Sequence, residues 1–385
     1  NGLLIFLIFY GLSKNHFLSL IFSSLYLFEN SSIVHFRGAM LDSTLVFFSF
    51  LTILYFIYLY EKKKEKTLVN YFILACLTSL AVSTKMVGII LALLFIFLSF
   101  RGLKEYEGIG NKVKRLFKQS ISYLFGLFMV FFTVYYVHVA LCSNILKNDI
   151  TDDNVKGGIS GASKEYVRMI DNREIYNPLK LFIPMKDYFN HMATVQSFMP
   201  IKDSLELSSP PVGWPIGIKN VNYTLFSHFP KTDKLVYLKF QGNPVNWSLG
   251  LLAVVLSICL IFAKIIFKIK ISNTRTYNYV LIFTSLYIGY MIAVILLGME
   301  RALYIHMYFL PLFFSFILFF LMFNYIFEKY IIKNDRILYV SVFLLVAQIF
   351  YAYFYTSPLT YGKPITYLEC EKIRLIDFWR DDCQR

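Results

Sequence analysis

Arg37 and Asp42 stand five positions apart at the mouth of an apolar run, in the stretch ENSSIVHFRGAMLDSTLVFF (29–48). A charge at a membrane boundary costs little if it reaches water. At the bilayer centre it costs roughly 2.5–3.5 kcal/mol or more. Ionisable groups at the end of a spanning segment are therefore candidates for binding or chemistry. Two further cations have similar settings. Lys85 follows Ser83 and Thr84 inside the long apolar run 68–100, and Arg301 follows Glu300 between two later apolar blocks. Three cations on one membrane face suit a lipid-linked phosphate, because Arg and Lys supply the charge that phosphate oxygens require. Three separate interfacial anchors are the other reading of the same residues.

The elements that must position them are membrane spans. The chain has 385 residues, of which 57% are hydrophobic and 19% aromatic. Soluble domains are nearer about 45–50% apolar. The net charge of +14 would point to nucleic acid in a soluble protein. Here the lysines sit in short loops between apolar blocks, so positive-inside orientation accounts for them and no nucleic-acid partner is expected. Five cysteines without a CxxC pair argue against a zinc or redox site, and no metal is expected. Cys370 and Cys383 are close enough in sequence to pair.

Ten spans are expected, near 2–12, 17–28, 43–60, two within 68–100 with a tight turn at Lys85, 120–141, 248–268, 278–298, 303–326 and 337–356. The basic loops 61–66 and 101–119, with the later Lys/Arg clusters, define the cytoplasmic side. This places Arg37, Lys85 and Arg301 on the opposite face. The expected organisation is an N-terminal membrane region 1–141, a large non-cytoplasmic loop 142–247, a C-terminal four-helix region 248–356 and an external tail 357–385. Amphipathic helices are expected in the loop near 178–199. Residues 1–12 are short for a span and lack a charged leader, so a missing true start is expected. Tyr304 and Tyr308 share a face at helical spacing, while His306 points elsewhere. The sequons at Asn30, Asn222 and Asn246 favour only Asn222 as a glycan site.

Six separated motifs resemble the protein O-mannosyltransferase family. They are FRGAMLDSTLVFF (36–48), STKMVGI (83–89), SSPPVGWPIGI (208–218), QGNPVNW (241–247), MERALYIHMYFLP (299–311) and SPLTYGKP (357–364). Met86 stands where the family has Trp, and Met307 replaces a second His. The resemblance implies an all-α polytopic membrane protein, a GT-C-type glycosyltransferase bundle of about ten transmembrane helices with one large luminal loop. It implies mannose transfer from dolichyl phosphate mannose to Ser or Thr hydroxyls of acceptor polypeptides, in the endoplasmic reticulum membrane. A bacterial plasma membrane is the alternative location. A second mannosyltransferase subunit is an expected partner, and no cofactor beyond the donor is implied.

A hydroxyl nucleophile needs a proton acceptor, and the phosphate leaving group needs positive charge. The family's acidic base lies in a first luminal loop, expected upstream of Asn1 together with the first span, so no catalytic base is carried over. Arg37 is the first choice for the donor phosphate or for organising the site, with Lys85 and Arg301 second. Asp42 is expected to orient Arg37, and Trp214, Tyr304, His306 and Tyr308 to support the site. The loop lacks the strand pattern of the family's MIR domain, which is expected to be absent. The rival readings are an inactive, truncated subunit that binds donor lipid or a partner transferase, and another transferase using lipid-phosphate sugars.

Overall fold

Among the described residues ten apolar helical segments form a bundle capped at one end by a small sheet. The computed structural model describes residues 1–38, 40–64, 67–103, 106–141, 163–197, 208–219, 221–226, 234–299, 302–330 and 335–373. The N-terminal half contains α1 (Gly2–Ser13), α2 (His16–Phe22), α3 (Ser24–Leu27), α4 (Asn30–Arg37), α5 (Asp42–Glu61) and α6 (Leu68–Thr84). A 3₁₀ turn, Met86–Leu91, leads into α7 (Ala92–Leu103), and α8 (Ile109–Leu141) follows. Helices α9 (Lys164–Asp171) and α10 (Phe182–Ser197) lie in the large loop, followed by strands β1 (Val221–Phe226) and β2 (Lys234–Phe240). The C-terminal half contains α11 (Pro244–Ile266), α12 (Thr274–Gly298), α13 (Phe309–Tyr330), α14 (Asp335–Tyr361), β3 (Pro364–Thr366) and α15 (Tyr367–Ile373).

Among the described residues seven helices are long and apolar enough to cross a membrane. The segments His16–Leu27 and Asn30–Arg37 are bent by 60° and count together as an eighth. Gly2–Ser13 and Leu68–Thr84 are shorter apolar helices. Each predicted apolar run overlaps one of these ten, the bent pair extending beyond the predicted 17–28 to Arg37. The polar punctuation is local. Asn15, Asn243 and Asn273 cap α2, α11 and α12 by accepting backbone N–H bonds, and Pro244 fills the first turn of α11, where its missing donor is not needed.

The core is largely aromatic. Phe9, Phe22, Phe50, Phe56, Phe283 and Phe313 are fully enclosed. Helix α13 is buried for most of its length, between α11 and α12. On the other side α6 packs along α8. That contact requires Gly126, because a Cβ there would sit 2.7 Å from the Phe72 carbonyl oxygen. Small residues permit such approach where no hydrophobic effect drives helices together.

Three features differ from expectation. The basic segment 109–119 is the first part of α8, not a loop, because after Gly110 and Asn111 in the first turn its Lys, Arg, Leu and Gln residues favour helix and it holds no proline. Helix α14 continues through Pro358 to Tyr361, so the tail begins later than Ser357. The loop and tail are also joined by an antiparallel sheet, β1-β2-β3, with Val221 opposite Phe240 and Leu235 opposite Ile365. A cluster of Tyr237, Leu359, Ile365, Cys370 and Ile373 fills the space beneath it. Cys370 is disulfide-bonded, and its partner, like Cys383, lies outside the described residues.

Candidate active site

Helix α4 ends at Arg37, and the chain turns at Gly38 before α5 starts at Asp42. The break brings His35 and Asp42 face to face, at a separation of seven that one continuous helix would leave two turns, about 10 Å, apart. His35 Nε2–H donates to Asp42 Oδ2 at 2.8 Å. With that proton committed, His35 Nδ1 accepts from the Tyr223 hydroxyl of β1. Lys85 Nζ lies 2.7 Å from each Asp42 oxygen. The Asp42 side chain is 5% exposed and that of Lys85 27%. A carboxylate this enclosed would cost on the order of several kcal/mol without partners. The ammonium and imidazole supply them.

The position of Lys85 is built by the break between α6 and the 3₁₀ turn. Its backbone is extended at φ −150° and ψ 133°, and its carbonyl accepts the Gly88 N–H at 2.9 Å. Gly88 lies so close to α6 that a Cβ would stand 2.8 Å from the Ala81 carbonyl carbon. No larger residue leaves the turn in place.

Tyr304 is also extended and precedes the 3₁₀ turn Ile305–Tyr308. It therefore does not share a face with Tyr308, as helical spacing would have it. Tyr304 stacks on His306 with centroids 5.8 Å apart and planes at 8°. His306 stacks in turn on His35, at 5.0 Å and 17°. A cavity of about 250 Å³ opens beside this stack, lined by Asp42, Lys85, His306, Thr84, Tyr290 and Phe309 among others. Lys85 is a cation, and the His306 ring adds nitrogens that can donate or accept hydrogen bonds. Among the described residues no group of three His, Cys, Asp or Glu side chains is placed to hold a metal ion.

The structure brings together Asp42, Lys85, Tyr304 and His306 of the expected residues. It sends Arg37, Trp214 and Tyr308 elsewhere. Asp42 does not orient Arg37, since its two oxygens are engaged by Lys85 and His35. Residues 35 and 37 are about 200° apart around a helix, so Arg37 faces the end of α14. Its Nη2 donates to the Thr360 carbonyl at 2.6 Å, and its guanidinium sits over the Tyr361 ring at 5.2 Å. Trp214 lines no groove. It is fully buried, and its indole N–H donates to Ser209 Oγ at 2.8 Å. Ser209 N–H donates to the Leu303 carbonyl at 2.9 Å, so this loop motif supports the segment carrying His306. Tyr308 packs on Trp247 and bonds to the Tyr287 hydroxyl at 2.9 Å, a core role. Arg301 lies outside the described residues, as does the Asn222 side chain. Asn30 and Asn246 are buried and hydrogen-bonded, which excludes them as glycan acceptors in this fold.

Three residues of the site region carry roles that motif reading missed. His35 lies seven residues before Asp42, a spacing that puts both on one face of a single helix but two turns apart, so only the break at Gly38 brings them into contact. Tyr223 reads only as the middle of a sequon. Glu29 is fully buried and accepts from Ser31 Oγ at 2.8 Å, Asn243 N–H at 3.1 Å, Asn246 Nδ2 at 3.1 Å and Trp247 Nε1 at 3.1 Å. It ties the start of α4 to the start of α11. The signal for it is present in QGNPVNW, whose donors need an acceptor.

A family model for the C-terminal four-transmembrane region of protein-O-mannosyltransferase matches residues 187–379, half of the chain. A second, for dolichyl-phosphate-mannose-protein mannosyltransferase, matches residues 2–145. The chain belongs to the protein O-mannosyltransferase family. This mannosyltransferase is therefore a glycosyltransferase and a multi-pass membrane protein, acting in the transfer of mannose from dolichyl phosphate mannose to protein. A solved structure of the S. cerevisiae protein O-mannosyltransferase Pmt1-Pmt2 complex bound to the sugar donor has the same fold. The match has a TM-score of 0.68 at 12% identity and covers 99% of this chain and 79% of that one. A search of curated proteins finds no match to the mannosyltransferase.

Proposed function

We propose that the cavity beside Asp42, Lys85 and His306 receives the phosphate and mannose of the donor, dolichyl phosphate mannose. The observation that carries this reading is the Lys85 ammonium, fixed by two 2.7 Å bonds to Asp42 at the lip of that cavity. In the reaction the bond between the anomeric carbon and the phosphate oxygen breaks, and its electron pair leaves with the phosphate. A bond forms from the Ser or Thr oxygen to the anomeric carbon, and the hydroxyl proton passes to a base. Lys85 stabilises the charge that grows on the phosphate, the preorganised kind of stabilisation that is effective in a site shielded from water. His306 offers a second N–H to the same oxygens. Asp42 is an orienting group, because its oxygens already accept from Lys85 and His35; the general base is another carboxylate. Arg37 organises the site by anchoring α4 to the end of α14.

The yeast structure is a complex of two subunits bound to the sugar donor, which supports a partner subunit and the same donor here. The bonded Cys370 supports an oxidising compartment on the side of the tail, as the endoplasmic reticulum lumen provides. Acceptor polypeptides enter from that side. The test is mannosyl transfer from labelled donor in proteoliposomes. Lys85→Met is expected to lower turnover about a hundredfold or more, with Lys85→Arg retaining part of it. Wild-type turnover in a correctly folded Lys85→Met protein would overturn the assignment.

A further inference from the structure

We propose that the end of the bundle remote from this site binds the headgroup of an anionic phospholipid. A cavity of about 570 Å³ lies there between the last turns of α5 and α7 and the first turns of α12. It is within the usual size of small-molecule sites, about 300–1,000 Å³. Among the described residues three cations line it, Lys63, Arg101 and Arg275, against one carboxylate, Glu61.

Both guanidiniums are held in place. Arg101 stacks over the Tyr60 ring at 3.9 Å and donates to the Tyr60 carbonyl. Arg275 Nε donates to Glu61 Oε1 at 2.9 Å, and its Nη2 donates to the Gly11 carbonyl at 3.2 Å. The Tyr279 hydroxyl donates to the same Glu61 oxygen at 2.6 Å. The charge of Glu61 is thus spent on fixing Arg275, whose guanidinium is held toward the cavity beside Lys63 and Arg101. Prefixed Arg geometry is what recognition of phosphate oxygens requires.

Beside Tyr60 and Asn278, the remaining wall is apolar. Phe97, Phe100, Leu281 and Ile282 line the cavity, and Phe100 is 61% exposed on the outside of the bundle. A soluble anion has no use for such a wall, whereas acyl chains lie along it while the headgroup meets the cations. The site is distinct from the donor site. Asp42 and Glu61 are the two ends of α5, whose twenty residues span about 30 Å, the thickness of the hydrocarbon core. The neighbouring Lys62, Lys64, Lys112, Lys114 and Arg115 place this end against the cytoplasmic leaflet, where anionic lipids reside.

The experiment is native mass spectrometry of the detergent-solubilised full chain, titrated with dioleoyl phosphatidylserine or dioleoyl phosphatidylcholine. One retained phosphatidylserine is expected, in preference to phosphatidylcholine. Lys63→Gln and Arg101→Gln should each lower retention about fivefold, with Lys363→Gln, exposed just after α14, leaving it unchanged. Lys63 is exposed, so its variant keeps the test valid if Arg101→Gln misfolds. Equal retention of the two lipids, or retention indifferent to both rim variants, would sink the proposal. Displacement of the lipid by excess inorganic phosphate would make the site one for a free anion and overturn it as well.

Discussion

Lys85 and Asp42, separated by 43 residues in the chain, make a two-oxygen ion pair with both contacts at 2.7 Å. It joins the break after α6 to the start of α5. Because both partners are largely enclosed, removing one strands the other. Lys85→Met or Asp42→Asn alone should destabilise the protein by about 3–5 kcal/mol. The double variant should be less unstable than the sum of the two, which a double-mutant cycle of unfolding measurements will show. Strict additivity would mean that the pair does not form.

Tyr223 gives a pH dependence. Burial, and then the charge of Asp42, raise its hydroxyl pKa above the ordinary value of 10.0. The folded protein keeps the phenol neutral at pH values where the unfolded chain ionises it. Its stabilising contribution is therefore complete below about pH 10 and is lost as pH rises through the higher folded value. Tyr223→Phe should remove that part of the alkaline loss of thermal stability. It should also lower turnover by about tenfold at neutral pH, by freeing His35. Identical alkaline profiles for wild type and variant would refute this.

Gly88→Ala should act on Lys85 without touching it. The added methyl meets the Ala81 backbone at 2.8 Å, so the 3₁₀ turn must shift. A loss of about 1–3 kcal/mol in stability is expected, with turnover reduced more than the amount of folded protein. Normal turnover per folded molecule would show that Lys85 tolerates the shift.

Arg37→Ala separates anchoring from donor binding. The side chain holds the Thr360 carbonyl and the Tyr361 ring. Stability should fall by about 1–2 kcal/mol, and turnover with it, while the donor KM stays within about twofold. A KM rise of tenfold or more, with stability unchanged, would return Arg37 to the donor phosphate.

Apolar length and loop charge made the ten segments legible, since both act locally. The chain breaks near Lys85 and before Asp42 were also readable, and they are what places two of the site residues. The ion pair between those residues was not readable, because helical spacing cannot relate groups on different helices. His35 and Arg37 show the limit. Arg37 is the chemically louder residue, but its position on α4 turns it away from Asp42 and turns His35 toward it. Tyr304 and Tyr308 failed for a related reason, a periodicity applied across residues that are not helical. The sheet joins strands from the loop and the tail, more than a hundred residues apart, through short segments with little alternation of their own.

The Glu29 junction has a consequence for biogenesis. Its donors, Asn243, Asn246 and Trp247, lie 214 to 218 residues downstream. At a synthesis rate of about 5–20 residues per second, that is roughly ten to forty seconds. During this interval the carboxylate must remain hydrated, or be sheltered by the insertion machinery, so the bend between α3 and α4 closes only after α11 has emerged. A ribosome stalled in the large loop would display an acid that the finished bundle conceals.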